Sequence, residues 1–357
     1  MFNFFNKKVF LLTLSILLAV SLFSCNKIEN SKKNDIVPNP DAATETAPFE
    51  IHFIDVGQAD CALVICDDEY MLIDGGNKDD SSTVYTYLKK YNVTELDYIV
   101  ATHAHEDHVG GLSGALNFAK AKVALSPVTE YDSKAFSDFV KNLEDQDVKI
   151  TIPNVGDSFD LGSAEFNILA CNTTDDTNNT SIVLKITYGE TSFLFTGDAE
   201  YECEKIMLDN EADISSTVLK VGHHGSSTSS SYRFLREVSP QYAVISVGKD
   251  NEYGHPHDEV MSRLSDADIT VYRTDIYGDI ICTSDGKNVS FRLGTQKASD
   301  TDADKRDMVL NTSSMKYHEL GCASIEKTSD KNRKEFHGTT DEVEAMGYTP
   351  CGNCHES

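Results

Sequence analysis

Residues 102–108 read Thr-His-Ala-His-Glu-Asp-His, which places three imidazoles and a catalytic-type carboxylate within six positions. The string follows an apolar run at 96–101 that reads as a buried strand. A strand end from which His103, His105, Asp107 and His108 converge points to a metal site. Neutral imidazole and carboxylate are the ligands that divalent zinc, manganese and iron prefer. The competing reading, a polar loop with solvated histidines, does not account for the concentration: the whole chain holds 11 histidines. A ligand set of this kind needs strand ends held in register, so it constrains the fold to a sheet with functional loops at one edge.

Two further strand ends carry ligand-type residues. Residues 193–198 read Phe-Leu-Phe-Thr-Gly-Asp, and 221–227 read Val-Gly-His-His-Gly-Ser-Ser. Taken singly, Asp198 reads as a helix N-cap and His224 as a hydrogen-bonded structural residue. Taken together, three such clusters read as one site.

The chain of 357 residues is 40% hydrophobic, enough for one large core and a small satellite module. Short apolar strands are expected at 51–56, 62–66, 70–73, 96–101, 122–125, 165–170, 182–188, 192–196, 218–221, 242–247, 269–272 and 280–282. Amphipathic helices are expected at 81–91, 110–119, 133–144, 200–208, 230–237 and 258–264. Strands interleaved with helices in one domain predict sheets covered by helices. Residues 296–307 read as a charged linker, and 308–357 as a separate small unit.

The apolar run at 9–23 reads as an export signal covering 1–24, with Lys7 and Lys8 before it. Leu22-Phe23-Ser24-Cys25 resembles a bacterial lipobox, which implies cleavage before Cys25 and a lipid on that cysteine. An ordinary secretory signal is the alternative. Residues 25–48 suit a flexible tether. The expected location is outside the cytoplasmic membrane, at the bacterial cell surface, with the membrane as partner through the lipid. Cys61, Cys66, Cys171, Cys203 and Cys282 show no disulfide framework and read as free thiols. A formal charge of −27 argues against broad nucleic-acid binding driven by Lys and Arg, though not against a phosphate gripped through metals.

The set as a whole resembles the metallo-β-lactamase-fold hydrolases, and within them the soluble domain of the ComEC/Rec2 competence proteins. The residues carrying the resemblance are Ile-Asp-Val-Gly-Gln-Ala-Asp at 54–60, Leu-Ile-Asp-Gly-Gly at 72–76 and the 103–108 motif. They continue with Asn-Thr-Ser-Ile-Val-Leu at 179–184, Thr-Gly-Asp-Ala at 196–199, 222–227, and Tyr-Gly-His-Pro at 253–256. The resemblance spans 49–295 and implies an α/β fold, an αββα sandwich with the metal site at one edge. It implies that one metal takes His103 and His105, the other Asp107, His108 and His223, with Asp198 bridging. Asp74 would orient ligands through hydrogen bonds, with Asp55, Gln58 and Asp60 as further supporting residues. Many relatives add a histidine between the first motif and the Gly-Asp strand. This chain has none between His108 and His223, so one metal has fewer protein ligands, and both zinc and manganese stay open. Zinc lowers the pKa of bound water to about 7, and a metal pair can also stabilise charge on a phosphoryl oxygen. Asp107, His224 and His255 are the candidates for catalytic work, His255 to protonate a leaving group or bind phosphate. Ser226 and Ser227, ahead of a helix, are candidates to bind the phosphate.

Near the C-terminus, His318 and Cys322 precede Cys351 and Cys354 by about thirty residues. A His-x3-Cys plus Cys-x2-Cys set fits a structural zinc, and a unit of about fifty residues needs such a staple. A redox Cys-x-x-Cys is the alternative. The unit resembles the metal-binding domain of the Ada DNA-repair protein, where the first of four cysteines accepts a methyl group. Here that position is His318, which argues against methyl transfer.

Three functions follow. The first is a surface-anchored, metal-dependent phosphodiesterase, a nuclease on extracellular DNA linked to DNA uptake or degradation machinery. The second keeps the metals but takes a small substrate, such as a phosphocholine or teichoic diester, a lactam or a lactone. The third is a non-catalytic surface DNA-binding lipoprotein.

Overall fold

The computed structural model describes residues 48–294, 306–338, 340, 343 and 348–354. The expected signal, Cys25 and the tether up to 47 lie outside the described residues. So does the expected linker, except Arg306 and Asp307, which open a strand.

Six strands come first: β1 (Phe49–Phe53), β2 (Ala62–Cys66), β3 (Glu69–Ile73), β4 (Glu95–Val100), β5 (Lys120–Leu125) and β6 (Ile150–Thr151). Then β7 (Ser158–Leu161), β8 (Ala164–Ala170), β9 (Val183–Tyr188), β10 (Thr191–Phe195), β11 (Val218–Lys220), β12 (Tyr242–Ile245) and β13 (Thr270–Arg273) build a second sheet. The chain returns through β14 (Ile280–Ser284) and β15 (Val289–Leu293) to the first sheet, whose order is β15-β14-β1-β2-β3-β4-β5-β6. The second runs β13-β12-β11-β10-β9-β8-β7.

The apolar residues of both inner faces form one core, in which Phe49 stacks on Phe193 at 4.9 Å and Phe53 on Phe195 at 5.8 Å between ring centroids. Such pairs add about 0.5–1.5 kcal/mol beyond their burial. The outer face of the first sheet is covered by α1 (Ser81–Lys90), α3 (Leu112–Phe118) and α4 (Lys134–Glu144), with α2 (Glu106–Val109) leading into α3. In α4, Ala135, Phe136, Phe139 and Leu143 fall on the buried face, and the Ser133 hydroxyl accepts from the Phe136 N–H to start the helix. The second sheet is covered by α5 (Tyr201–Asp209), α6 (Tyr232–Val238) and α7 (Asp258–Asp266). A short α8 (Thr274–Tyr277) follows β13. The result is the expected αββα arrangement.

The last four strands, β16 (Arg306–Asn311), β17 (Lys316–Glu319), β18 (Arg333–Gly338) and β19 (Thr349–Pro350), form a small sheet in the order β18-β16-β17-β19. Its Met308, Leu310, Tyr317, Val343 and Tyr348 share an apolar core with Val260, Leu264 and Ile269 of the α7–β13 region. The C-terminal unit therefore has little core of its own and is packed onto the larger body.

Functional placement follows from strand direction. β3, β4 and β5 run parallel in one sheet, and β10 to β13 run parallel in the other. Parallel strands put their carboxyl ends at a common edge, where ligands bind in α/β sheets.

Candidate metal centre

Each ligand-type residue sits just beyond such an end. Asp74 follows β3, and His103 to His108 follow β4 and run into α2. Asp198 follows β10, and His223 and His224 follow β11. Backbone hydrogen bonds lock these loops together: Asp60 N–H to Asp107 O (3.1 Å), Gly75 N–H to His108 O (2.7 Å) and Gly111 N–H to Gly76 O (3.1 Å). A Cβ on Gly111 would stand 1.9 Å from the Gly75 oxygen, so only glycine permits this approach.

Asp198 is at the centre. Its carboxylate lies 3.3 Å from His108 Nε2, 3.6 Å from His223 Nε2, 3.7 Å from His224 Nε2 and 3.8 Å from His103 Nε2. Asp107, His108, Asp198 and His224 each present a ligand atom within 4.8 Å of the others. On the other side of Asp198, His103 Nε2 faces His105 Nδ1 at 3.0 Å. All the metal candidates named from the sequence thus come together. The tight group contains His224 as well, and His223 keeps its Nε2 3.6 Å from Asp198. The two residues both adopt left-handed backbone (φ 51° each), which costs about 1–2 kcal/mol per residue. That turn brings both Nε2 atoms toward Asp198. His224 Nδ1 donates to Ser246 O (3.1 Å), and His223 Nδ1 lies 3.3 Å from Glu200.

The donor set fits a divalent ion. His108 Nε2 and Asp198 Oδ1 are buried without a hydrogen-bond partner, an arrangement that costs about 1–3 kcal/mol per neutral group and more for a charged one unless something binds between them. Electrostatics agree. Burial disfavours charge on His224, but Asp198 and Asp60 outweigh it and lift the ring to about 10. Burial likewise opposes charge on His108, and Asp198, Asp74 and Asp107 overcome it, holding that ring well above its ordinary value. These carboxylates call for positive charge at the centre. A cation shared by two carboxylates and two imidazoles supplies it with ligands zinc and manganese accept.

The supporting residues divide. Asp74 accepts from the Thr102 N–H (2.8 Å), the Thr102 hydroxyl (2.7 Å) and His108 Nδ1 (2.8 Å), which aims His108 Nε2 at Asp198. Asp60 stands 3.2 Å from His224 Nδ1 and pairs with Lys220 Nζ at 2.7 Å, all three buried. Gln58 takes the Gly248 N–H on its Oε1 (3.1 Å) and so turns its amide Nε2 to His255 Nδ1 (3.3 Å). Asp55 is a correction: its exposed carboxylate accepts from the Gly57 N–H (3.2 Å) and serves its own turn.

Ser226 and Ser227 are a second correction. The Ser227 N–H already donates to His257 Nδ1 (2.8 Å), and Ser226 Oγ meets Thr228 Oγ1 (3.0 Å). The Ser230 and Ser231 N–H groups ahead of α6 are taken by buried Glu204. The loop is thus satisfied internally and is not a vacant phosphate cradle. His255 stands beside His223 and His224 at the same edge. Burial first, then His257, His223 and His224, hold it down to about 4, which favours the neutral ring and hydrogen bonding to phosphate, one of its two expected roles.

Sequence reasoning missed Glu200 and Lys220, and quoted the 179–181 segment without a role for it. Lys220 had a signal, a lone cation inside an apolar strand. Ser181 Oγ accepts from the Asp198 N–H (3.1 Å), and Asn179 Oδ1 from the Glu200 N–H (3.0 Å). The 179–181 segment therefore buttresses the Gly-Asp turn. The C-terminal His318, Cys322, Cys351 and Cys354 also converge within 4.8 Å, with Cys322 and Cys351 sulfurs 4.0 Å apart. One imidazole and three thiols suit tetrahedral zinc.

Removing the Asp74 carboxylate tests its orienting role. Asp74→Ala is expected to weaken metal binding at the centre by about 10- to 100-fold. Titration with zinc or manganese against a competing chelator reads this, and unchanged affinity would show that Thr102 and burial alone fix His108.

Residues 54–249 match the family model described as the metallo-beta-lactamase superfamily. ComE operon protein 3 of Bacillus subtilis is 32% identical over 251 residues, covering 65% of this chain and 32% of that protein. Competence protein ComA of Neisseria gonorrhoeae is 31% identical over 226 residues, covering 63% of this chain and 30% of that one. The chain thus spans about a third of the length of these relatives. Among solved structures, the metallo-beta-lactamase fold protein YhfI from Bacillus subtilis matches 68% of this chain and 100% of its own, at 14% identity and a TM-score of 0.44. Igni18, a metallo hydrolase of Ignicoccus hospitalis, matches 68% and 98% at 16% identity and a TM-score of 0.42.

Proposed function

This chain belongs to the metallo-β-lactamase superfamily, and from that premise we propose that it is a metal-dependent phosphodiesterase, a nuclease acting on DNA outside the cytoplasmic membrane. The observation that carries the reading is the convergence of Asp107, His108, Asp198 and His224, with His103 and His105 across Asp198. Similarity to competence proteins supports DNA as the substrate. The proposed lipid on Cys25 would hold the protein at the membrane, near DNA uptake or degradation machinery.

A bound divalent pair would supply hydroxide at neutral pH and stabilise charge on a phosphoryl oxygen. The protein's own groups do the rest. Asp198 spaces the two ligand sets, and Asp74 and Asp60 fix His108 and His224 so that their Nε2 atoms face inward. Because Gln58 donates to His255 Nδ1, the neutral ring carries its proton on Nε2, ready to donate a hydrogen bond to a phosphoryl oxygen. His223, backed by Glu200, lines the same mouth.

The test is metal content together with cleavage of plasmid DNA, single-stranded DNA and bis-p-nitrophenyl phosphate in zinc and in manganese. Cleavage of DNA and of the small diester, lost in Asp107→Ala, is expected. The acid surface, −27 formally, favours a second reading with a small diester substrate. Hydrolysis of the model diester without DNA cleavage at any salt concentration would select that reading and overturn the nuclease.

A further inference from the structure

Seven aromatic rings lead across the site, and the row ends at each side in a tyrosine exposed to solvent. The Tyr131 ring meets His105 edge-on at 6.4 Å, and His105 meets His103 at 4.8 Å. His103 lies 4.1 Å from His108, His108 5.4 Å from His224, and His224 6.4 Å from His255. Tyr253 then stacks beside His255 at 5.6 Å with 24° between planes. The candidate metal ligands occupy the middle of this row, and a phenol stands at each end.

Tyr253 is 68% exposed and Tyr131 36%. Their positions are held. Asn251 grips the Tyr253 loop, its Nδ2 donating to Gly248 O (2.9 Å) and His255 O (2.6 Å) and its Oδ1 accepting from the His255 N–H (3.0 Å). Tyr131 is braced against Phe136 at 6.2 Å. Each ring thus presents apolar surface to water from a fixed support, a low-entropy arrangement for binding another ring.

We propose that Tyr131 and Tyr253 are stacking platforms for two bases that flank the scissile phosphodiester of a single DNA strand. The proposal rests on the phosphodiesterase reading above and adds the form of its substrate. A diester over the Asp198 centre has one neighbouring nucleoside toward each tyrosine. In a duplex those bases are already stacked and paired; in a single strand their faces are free. Charge points the same way. A chain of −27 gains little from the phosphate backbone, so affinity has to come from base stacking, which does not depend on net charge. Next to His255 the surface continues as a groove of about 610 Å³ with mixed charge, Lys249 and Arg273 against Asp250 and Asp275, bounded by Tyr348 and Thr349 of the C-terminal unit. That volume is in the range of small-ligand sites and gives the strand somewhere to go.

The experiment is fluorescence anisotropy of the full protein, metals in place, with a labelled phosphorothioate oligothymidylate, which resists turnover, and with an abasic strand of the same backbone and length. Tyr253→Ala and Tyr131→Ala are each expected to weaken oligothymidylate binding by about 5- to 100-fold, while Tyr253→Phe and Tyr131→Phe stay within about twofold of the parent. The abasic strand, which loses both contacts, is expected to bind the parent more weakly than either alanine variant binds oligothymidylate. Equal binding of both strands by the parent, or alanine variants that bind oligothymidylate like the parent, would overturn the proposal. Hydrolysis of bis-p-nitrophenyl phosphate by the parent in manganese is measured alongside. Stacking-dependent binding without hydrolysis would remove the phosphodiesterase reading and leave the platforms standing as a strand-binding site.

Discussion

Asp198→Asn is expected to lower kcat/KM for a phosphodiester by about 10³-fold or more and to strip metal from the centre. Asp198 meets His103, His108, His223 and His224 within 3.8 Å, so it is the one group shared by both ligand sets. Asparagine keeps the volume and one oxygen but loses the charge that offsets a cation. Fold stability should fall as well. Burial opposes charge on Asp198, but His108, His224 and His103 around it outweigh burial, hold the carboxylate well below its ordinary value and favour its charge. Metal analysis and single-turnover hydrolysis check the first claim, and thermal unfolding in chelator the second. Full activity in the asparagine protein would mean the reaction does not run through this centre.

The second large effect lies under the site. Lys220→Met should destabilise the protein by up to about 3–5 kcal/mol, because it removes the closest cation from the buried Asp60 carboxylate and leaves it with His224 alone. Denaturant unfolding in chelator measures this. The pH dependence has a definite sign. Burial opposes ionisation of Asp60, but Lys220 and then His224 outweigh it and hold the carboxyl well below its ordinary value. A depressed carboxyl contributes stability above its unfolded value, about pH 4, and loses it as pH falls through the folded value. The parent should therefore lose its advantage over Lys220→Met as the solution is acidified below that point. Asp60→Leu combined with Lys220→Met should recover much of the lost stability, since an apolar pair can replace a buried ion pair. It should not recover metal affinity, since Asp60 also backs His224. A double variant no more stable than Lys220→Met would show that the pair does not act as a unit.

How much of this was legible in the chain depends on what signals a residue carries. Strands buried on both faces, such as Ala62–Cys66, are apolar throughout and were placed to the residue. β7 and β15 were missed because Ser-Phe-Asp-Leu and Val-Ser-Phe-Arg-Leu are short edge strands with mixed faces. β1 was expected to run to Val56 but ends at Phe53, where the chain turns toward the site through Gly57. Helices declared themselves by apolar spacing, as in α4. The convergence of the three ligand clusters was readable from residue type alone. That His224 joins His223 beside Asp198 was not. It depends on two left-handed backbone positions, which composition does not encode. The phosphate expectation for Ser226 and Ser227 failed for a similar reason. A Ser-rich run before a helix signals free N–H groups, but His223 O takes that of Ser226, His257 that of Ser227, and Glu204 those of Ser230 and Ser231.

Phe49 of β1 pairs with Ser284 of β14 in the first sheet. The first and nearly the last strands of the sandwich are therefore neighbours, but β15 carries the chain back along the sheet, so it leaves at Leu293, which pairs with Ile280 at the other end of β14. Entry and exit are thus two strands apart, about 10 Å sideways, and offset by about four residues along the strands, a gap that a short stretch of a longer chain can span without pulling the sheet open. The same hydrolase unit is in this sense portable. It can hang from a tether or sit between unrelated segments with its metal edge facing the same way relative to the point of attachment.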